Sequence, residues 1–222
     1  MSAREQDAAQ FEQCREEIID AAERCVLNDG LRQLKLRDIA RECGMSLGNL
    51  YNYFQNKDAI VEALVMRRTR SFLAMVTRSA KEVVPGETPQ ERIRRQATDL
   101  VDAYISPEGL RLSIFLASEA LVNPRLFDIS VEMNEEVRRY MITLLQQDCG
   151  LPTGSEKALE AQIALIRGDL EGLRGAVAFN PGVDRELLRQ TAIDRLQLLW
   201  VCDQALMKGI GIEAIAKRLE VF

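Results

Sequence analysis

The chain has 222 residues, of which 47% are hydrophobic and 28% charged, and its formal net charge at neutral pH is −5. This composition is typical of a globular protein with a sizeable core, and no apolar run approaches the ~18 residues of a membrane span. Histidine is absent, which excludes Ser-His-Asp and Cys-His triads and histidine metal sites, and no GxxxxGK[ST] or GxGxxG pattern occurs. We therefore predict a protein that is not an enzyme and uses no metal or cofactor. The polar start, MSAREQDAAQ, has no apolar signal region, so a cytoplasmic location is expected.

Helical periodicity runs through the chain, whereas alternating β-branched runs and Asn-Gly hairpin signals do not occur. The predicted fold class is all-α, with about nine helices and a short tenth helix closing the chain. Thr88-Pro89, Ser106-Pro107 and Asn123-Pro124 each combine a capping side chain with a first-turn proline, and further breaks fall at 84–86, 150–154 and 180–182. The predicted helices span 9–29, 36–43, 46–53, 57–82, 89–105, 107–121, 124–148, 155–179, 184–208 and 212–219.

Five cysteines are scattered along the chain without a CxxC pair. This pattern predicts reduced thiols rather than a disulfide framework or a zinc cage, and a redox-sensing pair is the alternative. The cysteines are Cys14, Cys25, Cys43, Cys149 and Cys202.

The stretch RDIARECGMSLGNLYNYFQNKDAI, at 37–60, contains two predicted helices separated by a short turn. Gly44 fits the left-handed position that ends a helix, and Ser46 is then a favourable N-cap for the next one. Met45 and Leu50 have the spacing of a hydrophobic staple, which sets the angle at which the chain enters that helix. The stretch therefore predicts a helix-turn-helix, the supersecondary motif that reads DNA.

Basic charge is concentrated around this motif. Residues 31–80 hold nine lysines and arginines against four acids, whereas 1–30 and 81–222 each carry a net charge of −5. A local basic patch on an acidic protein supports nucleic-acid binding, because the local field governs the contact.

The second helix of the motif carries the side chains expected to meet DNA. Gly48 allows the backbone to approach the bases, Asn49 can pair bidentately with adenine, and Leu47 can touch a thymine methyl. Tyr51 and Lys57 offer donors to phosphates. Each residue taken singly is also an ordinary surface residue, but their joint spacing inside the basic block favours DNA. The predicted DNA-binding residues are Lys35, Arg37, Ser46, Leu47, Gly48, Asn49, Tyr51, Asn52, Tyr53 and Lys57.

Residues 14–62 resemble the N-terminal domain of the TetR family of bacterial repressors, through IIDAAERCVLNDGLRQLKLRDIARECGMSLGNLYNYFQNKDAIV. The resemblance implies phosphate contacts from the two tyrosines and Lys57, and base contacts from residues 47–49. Two positions depart from the family pattern: Lys35 stands where threonine or serine often caps the helix, and Leu47 where a polar residue is frequent. The predicted domains are a DNA-binding helix-turn-helix domain at 1–56 and a helical effector-binding and dimerisation domain at 57–222.

The predicted helix at 155–179 has two stripes of small and apolar residues. The stripe from Leu159 to Val177 is expected to face the chain's own core. The other contains three glycines, each costing ~1 kcal/mol relative to alanine within a helix, and so indicates a face that another helix approaches closely. The resemblance implies a four-helix bundle formed with a second copy by this helix and 184–208; a helix pair buried in a monomer is the alternative. The predicted dimer-interface residues are Gly168, Gly172, Gly175, Phe179, Leu196 and Leu199.

The resemblance also implies an effector pocket within the larger domain, for an apolar or amphipathic small molecule. Each candidate residue is also explained as an ordinary core aromatic or, for the glutamate, a solvated acid. The candidates are Phe72, Tyr104, Phe115, Glu119, Phe127 and Tyr140.

Together these observations predict a ligand-responsive transcriptional regulator, a repressor that binds a palindromic operator as a homodimer and is released by a small-molecule effector. The alternatives are a helical protein that uses the same fold to bind a protein partner, and an enzyme that works without histidine.

Overall fold

A computed structural model describes residues 3–149 and 156–218. These ranges contain ten α-helices and no β-strand, which confirms the predicted all-α fold. No helix in the described ranges is both long and apolar enough to cross a membrane. The predicted break at 150–154 and the side chain of Cys149 lie outside the described residues. The helices are α1 (Ala3–Asp29), α2 (Leu36–Glu42), α3 (Leu47–Leu50), α4 (Lys57–Lys81), α5 (Pro89–Ile105), α6 (Pro107–Ala120), α7 (Pro124–Cys149), α8 (Glu156–Phe179), α9 (Arg185–Met207) and α10 (Ile212–Arg218).

Helix starts follow the predicted capping signals. Thr88 forms a full capping box with Glu91, in which the Thr88 hydroxyl accepts from the Glu91 amide and the Glu91 carboxylate accepts from the Thr88 amide. Asn123 Oδ1 accepts a hydrogen bond from the Leu126 amide at 3.1 Å. Lys35, which departs from the family pattern, is the N-cap of α2 and makes no capping hydrogen bond with its side chain. The start of α2 therefore has no side-chain cap.

The largest differences from the predicted helix bounds concern α1 and α3. α1 begins at Ala3 rather than at residue 9, and α3 covers only Leu47–Leu50 rather than 46–53. Beyond α3 the chain tightens, because the Asn52 amide donates to Asn49 O and the Tyr53 amide to Leu50 O, both at 3.0 Å.

The chain forms two compact units, and their limits differ from the predicted division at 56/57. Unit 1 comprises Met1–Ser71 and Pro107–Asn134, and unit 2 comprises Phe72–Ser106 and Glu135–Phe222. α6 and the start of α7 belong to unit 1 because their buried residues, such as Leu112 and Ile129, lie in the same apolar cluster as Ile39 and Leu50 of the helix-turn-helix.

Unit 2 is built around α5, α8 and α9. On α8, Leu159, Leu170 and Val177 are buried, which confirms that this stripe faces the chain's own core. Arg189 of α9 pairs with Asp102 of α5, with Nη2 2.7 Å from Oδ2.

Candidate nucleic-acid interface and ligand cavity

The turn between α2 and α3 is a Schellman motif. Gly44 adopts a φ of 72°, as the left-handed end of a helix requires. The Met45 amide donates to Ala40 O at 2.9 Å, and the Gly44 amide to Arg41 O at 3.2 Å. These two bonds satisfy two of the carbonyls in the last turn of α2 and turn the chain sharply toward α3.

Ser46 caps α3, as the sequence predicted. Its Oγ accepts a hydrogen bond from the Asn49 amide at 3.1 Å. Met45 before the cap and Leu50 after it both pack in the core of unit 1, where Leu50 is fully buried. The staple and the cap therefore fix which face of α3 is buried and which is presented to solvent.

The presented face consists of Ser46, Leu47, Gly48 and Asn49, all of them exposed. An added Cβ at Gly48 would meet nothing closer than Ser46 Oγ at 3.9 Å, so the surface here is open. Asn52 Nδ2 donates to Asn49 Oδ1 at 3.2 Å. The second lone pair of that oxygen and the two protons on Asn49 Nδ2 remain available to bond the edge of a base.

The predicted phosphate-contacting residues differ in how freely they are presented. Tyr51 is half-exposed, and Lys35 and Arg37 are exposed. Lys57 begins α4 immediately after Asn56, whose Oδ1 accepts from the Ala59 amide at 2.8 Å. This places the lysine at a helix start, where free N–H groups also favour anions.

Tyr53 is anchored to α1, which the sequence pattern did not reveal. Its ring centroid lies 4.9 Å from that of Phe11, and a hydrogen bond with the Cys14 thiol raises the pKa of Tyr53. Arg15 Nη1 donates to Tyr53 O at 3.0 Å, and the Arg15 guanidinium lies over the Phe54 ring. Phe11, Cys14 and Arg15 share a helix face at i, i+3 and i+4, and this spacing was the available signal.

Part of the basic charge predicted for 31–80 is neutralised within unit 1. Arg67 pairs with Glu16, Asp20 and Glu23, three acids spaced along α1. The Arg67 side chain is only 18% exposed. It therefore fastens α4 to α1 and does not belong to the exposed patch formed by Lys35, Arg37 and the surface of α3.

Unit 2 contains a cavity of about 140 Å³, lined mostly by apolar side chains of α4, α5, α7, α8 and α9. Two predicted effector-pocket residues, Phe72 and Tyr104, line it, with their rings edge-to-face and their centroids 6.1 Å apart. Trp200 also lines it and was not among the predicted residues.

The other four predicted pocket residues do not line this cavity. Phe115, Glu119 and Phe127 belong to unit 1, where Phe115 packs against the core and Phe127 is 50% exposed. Tyr140 belongs to unit 2, but its hydroxyl bonds to that of Thr77. Phe115, Glu119 and Phe127 lie in unit 1 because α6 and the start of α7 pack there, whereas the sequence prediction assigned all of α6 and α7 to the larger domain.

The second stripe of α8 is uncovered in this chain. An added Cβ at Gly168, Gly172 or Gly175 would meet no atom within 4 Å. The stripe continues with Leu165 and Phe179, which are 73% and 74% exposed.

On α9 the predicted interface residues are placed differently. Leu196 is only 9% exposed and lines the cavity, so it belongs to the chain's own interior, and Leu199 is half-buried. Among the side chains of α9 that the structure describes, the exposed large apolar ones are instead Leu187, Leu198, Val201 and Leu206.

Comparison with known proteins identifies the helix-turn-helix. Residues 18–64 match the family model of "Bacterial regulatory proteins, tetR family". Over most of its length the chain is similar to the HTH-type transcriptional regulator BetI of Burkholderia cenocepacia, with 28% identity over 192 residues covering 85% of this chain and 95% of BetI. The chain is a transcriptional regulator of the TetR family. As a member of this family it is a DNA-binding protein, and its relatives are regulators rather than enzymes.

Two further comparisons concern the sequence of a relative and the fold of a solved structure. The TetR-family chain is 29% identical over 133 residues to the HTH-type nicotine-responsive transcriptional repressor HdnoR of Paenarthrobacter nicotinovorans, covering 59% of this chain and 66% of HdnoR. A transcriptional regulator from Pseudomonas aeruginosa PAO1 has the same fold, with a TM-score of 0.69 at 16% identity over 90% of this chain and 95% of that one.

Proposed function

We propose that this TetR-family regulator represses transcription as a homodimer on a palindromic operator, and that a small molecule bound in unit 2 releases it. The observation that carries the proposal is the first turn of α3, which is capped by Ser46, exposed from Ser46 to Asn49 and held from behind by the buried Leu50. This is the part of a helix-turn-helix that enters the major groove.

The contacts divide into those that position the protein and those that read sequence. Lys35, Arg37, Tyr51 and Lys57 offer donors to phosphates, which add affinity on any sequence. Asn49 offers an acceptor and a donor on one amide, the pattern that adenine presents in the major groove.

Fluorescence anisotropy with labelled promoter DNA tests this division. For the wild type we expect affinity to fall steeply as salt rises. Lys57→Ala should weaken all sequences alike and lower the salt slope by about one, whereas Asn49→Ala should relax preference at one base position.

Lys157→Ala, on the exposed surface of α8, is the matched control and should bind as the wild type does. Absence of binding at low salt, or affinity that does not change with salt, would refute the DNA interface. In that case the fold would serve a protein partner instead.

Three features support the homodimer: the uncovered glycines of α8, the exposed Leu165 and Phe179 beside them, and the exposed Leu198 on α9. Gly168, Gly172 and Gly175 follow a spacing of four and three, so they lie on one helix face that a second helix can approach closely. A dimer also suits the DNA, since one helix-turn-helix buries only about 600–1,000 Å² and two related by a twofold axis read an inverted repeat.

Analytical ultracentrifugation of Leu165→Glu tests the dimer. A charge on the stripe should shift the protein toward monomer and weaken operator binding, because the two half-sites would no longer be read together. Leu121→Glu is the control, since Leu121 is 81% exposed but lies in unit 1, outside the stripe. A Leu165→Glu protein that stays dimeric would exclude this interface.

The release step requires a ligand whose affinity differs between the DNA-bound and free arrangements. A coupling of ~1–3 kcal/mol changes occupancy 5- to 150-fold. α4 and α7 each run through both units, so coupling between the units has a continuous covalent path.

HdnoR is by name a nicotine-responsive repressor, and this similarity also supports a repressor controlled by a small molecule. Action on operator DNA is consistent with the expected cytoplasmic location.

A further inference from the structure

The polar chemistry of the unit 2 cavity indicates what kind of molecule it holds. Arg167 of α8 is the one charged residue among the described residues that line the cavity, and no carboxylate is among them. We infer that the cavity takes a small carboxylic acid with an apolar body about the size of one aromatic ring, whose carboxylate pairs with Arg167. The inference rests on the effector role proposed above and specifies its ligand.

Arg167 is available for such a pairing. It is exposed, and within the described ranges it has neither an ion pair nor a hydrogen bond. Several other arginines of unit 2 are committed: for example, Arg138 pairs with Glu135 and Glu160, and Arg195 with Asp169. An exposed lining residue lies where the cavity meets solvent, so a ligand can insert its apolar body and leave its carboxylate at the guanidinium.

The hydroxyl of Tyr104 favours a ligand that carries a hydrogen-bond acceptor rather than a cation. This hydroxyl makes no hydrogen bond to any described residue, and burial raises the pKa of Tyr104, so the phenol stays protonated and can donate. The Arg174 guanidinium lies over the Tyr104 ring, 4.6 Å from the centroid. One face of this ring already holds a cation, which disfavours its use in an aromatic cage for a quaternary ammonium group.

The size of the cavity limits the apolar part of the ligand. An apolar cavity of about 150 Å³ accommodates benzene, so the 140 Å³ found here fits one ring in the observed conformation. Its walls, including Phe72, Leu170 and Leu196, are apolar and would desolvate that ring.

The acids around the cavity do not line it: Asp99 accepts a hydrogen bond from the lining residue Ser79, and Glu171 pairs with Arg174. Asp203 lines a separate space of about 10 Å³ that shares Leu145, Ile166 and Trp200 with the main cavity, and burial raises the pKa of Asp203. A cationic ligand would need one of these carboxylates, so the test includes a cation.

Trp200 makes the test direct, because it is the only tryptophan of the chain and lines the cavity. The full-length protein is titrated at neutral pH with 3-phenylpropanoate, 3-phenylpropan-1-ol and 3-phenylpropylammonium, which share one ring and differ in the charged or neutral end. Emission of Trp200 and titration calorimetry report binding without reference to DNA. We expect the acid to bind up to about fivefold more tightly than the alcohol, and the ammonium to bind most weakly.

Arg167→Gln should remove the preference for the acid over the alcohol while leaving the affinity for the alcohol unchanged. Arg195→Gln, on α9 and outside the cavity lining, is the matched control and should keep the preference. Equal binding of acid and alcohol, a preference that survives Arg167→Gln, or tighter binding of the ammonium than of the acid would each overturn the inference.

Absence of binding by all three probes would also overturn it, while leaving the operator-binding tests of the proposed function intact. Conversely, binding of the acid to a protein that shows no DNA affinity would support the cavity assignment and refute the repressor.

Discussion

Replacing Gly48 by alanine separates the stability of the DNA-reading turn from its contact with DNA. An added Cβ at Gly48 lies 3.9 Å from Ser46 Oγ, which is ordinary van der Waals contact, and the glycine sits within α3 without a left-handed φ. Alanine in place of glycine within a helix stabilises by ~0.5–1 kcal/mol, and we expect the lower value because α3 is a single turn. Folding alone therefore predicts a neutral or slightly stabilising change.

DNA binding should respond in the opposite direction. If the backbone of Gly48 approaches the bases, an added methyl group separates the two surfaces and disturbs the neighbouring base contacts of Asn49. A good base contact is worth ~1–3 kcal/mol, so the loss is about 5- to 150-fold in affinity.

Gly44→Ala is the contrasting variant four residues away. An added Cβ there would meet no atom within 4 Å, so its cost comes only from forcing a φ of 72° on alanine, about 1–2 kcal/mol. This variant should lose stability but, while it remains folded, should bind DNA nearly as well as the wild type.

Urea unfolding followed by far-UV circular dichroism, hydrogen exchange over 40–54 and operator titration by anisotropy measure both quantities on each variant. The reasoning would be refuted by a Gly48→Ala protein that binds operator with wild-type affinity, or by one that unfolds more easily than the wild type.

Three further predictions concern stability. Lys35→Thr should stabilise α2 by about 1 kcal/mol in urea unfolding, because residue 35 already has the extended backbone of an N-cap but no capping side chain; an unchanged midpoint would contradict this. Thr88→Ala should cost about 1 kcal/mol, seen in unfolding followed by Trp200 emission, since it removes the hydroxyl that caps α5 through Glu91. Burial raises the pKa of Asp203, so the folded state binds the proton of this carboxyl more tightly than the unfolded state does. The stability that Asp203 provides is therefore fully present below its unfolded pKa of ~3.9. It is lost as pH rises through the pKa of the folded state. Asp203→Asn should therefore be more stable than the wild type at neutral pH, and the gap should close as pH falls; a gap independent of pH would contradict the assignment.

The sequence by itself determined the features that depend on neighbours along the chain. Ser46 and Thr88 cap helices where their spacing predicted, and Gly44 has the left-handed conformation expected after α2. These features require only hydrogen bonds and backbone angles within three or four residues, so local spacing is enough to find them. The family resemblance rests on the same local pattern, since it covers the helix-turn-helix.

Only the tertiary structure decided which surfaces meet. Periodicity showed that residues of α6 and α9 share helix faces, but not that Leu112 completes the core of unit 1 or that Leu196 lines the cavity. The contact of Phe11 with Tyr53 depends on residues distant in sequence, and so does the absence of an ion pair for Arg167 among the described residues. Helical periodicity records that a face is apolar, whereas the neighbour of that face is selected by the packing of the whole chain, and no local pattern encodes that choice.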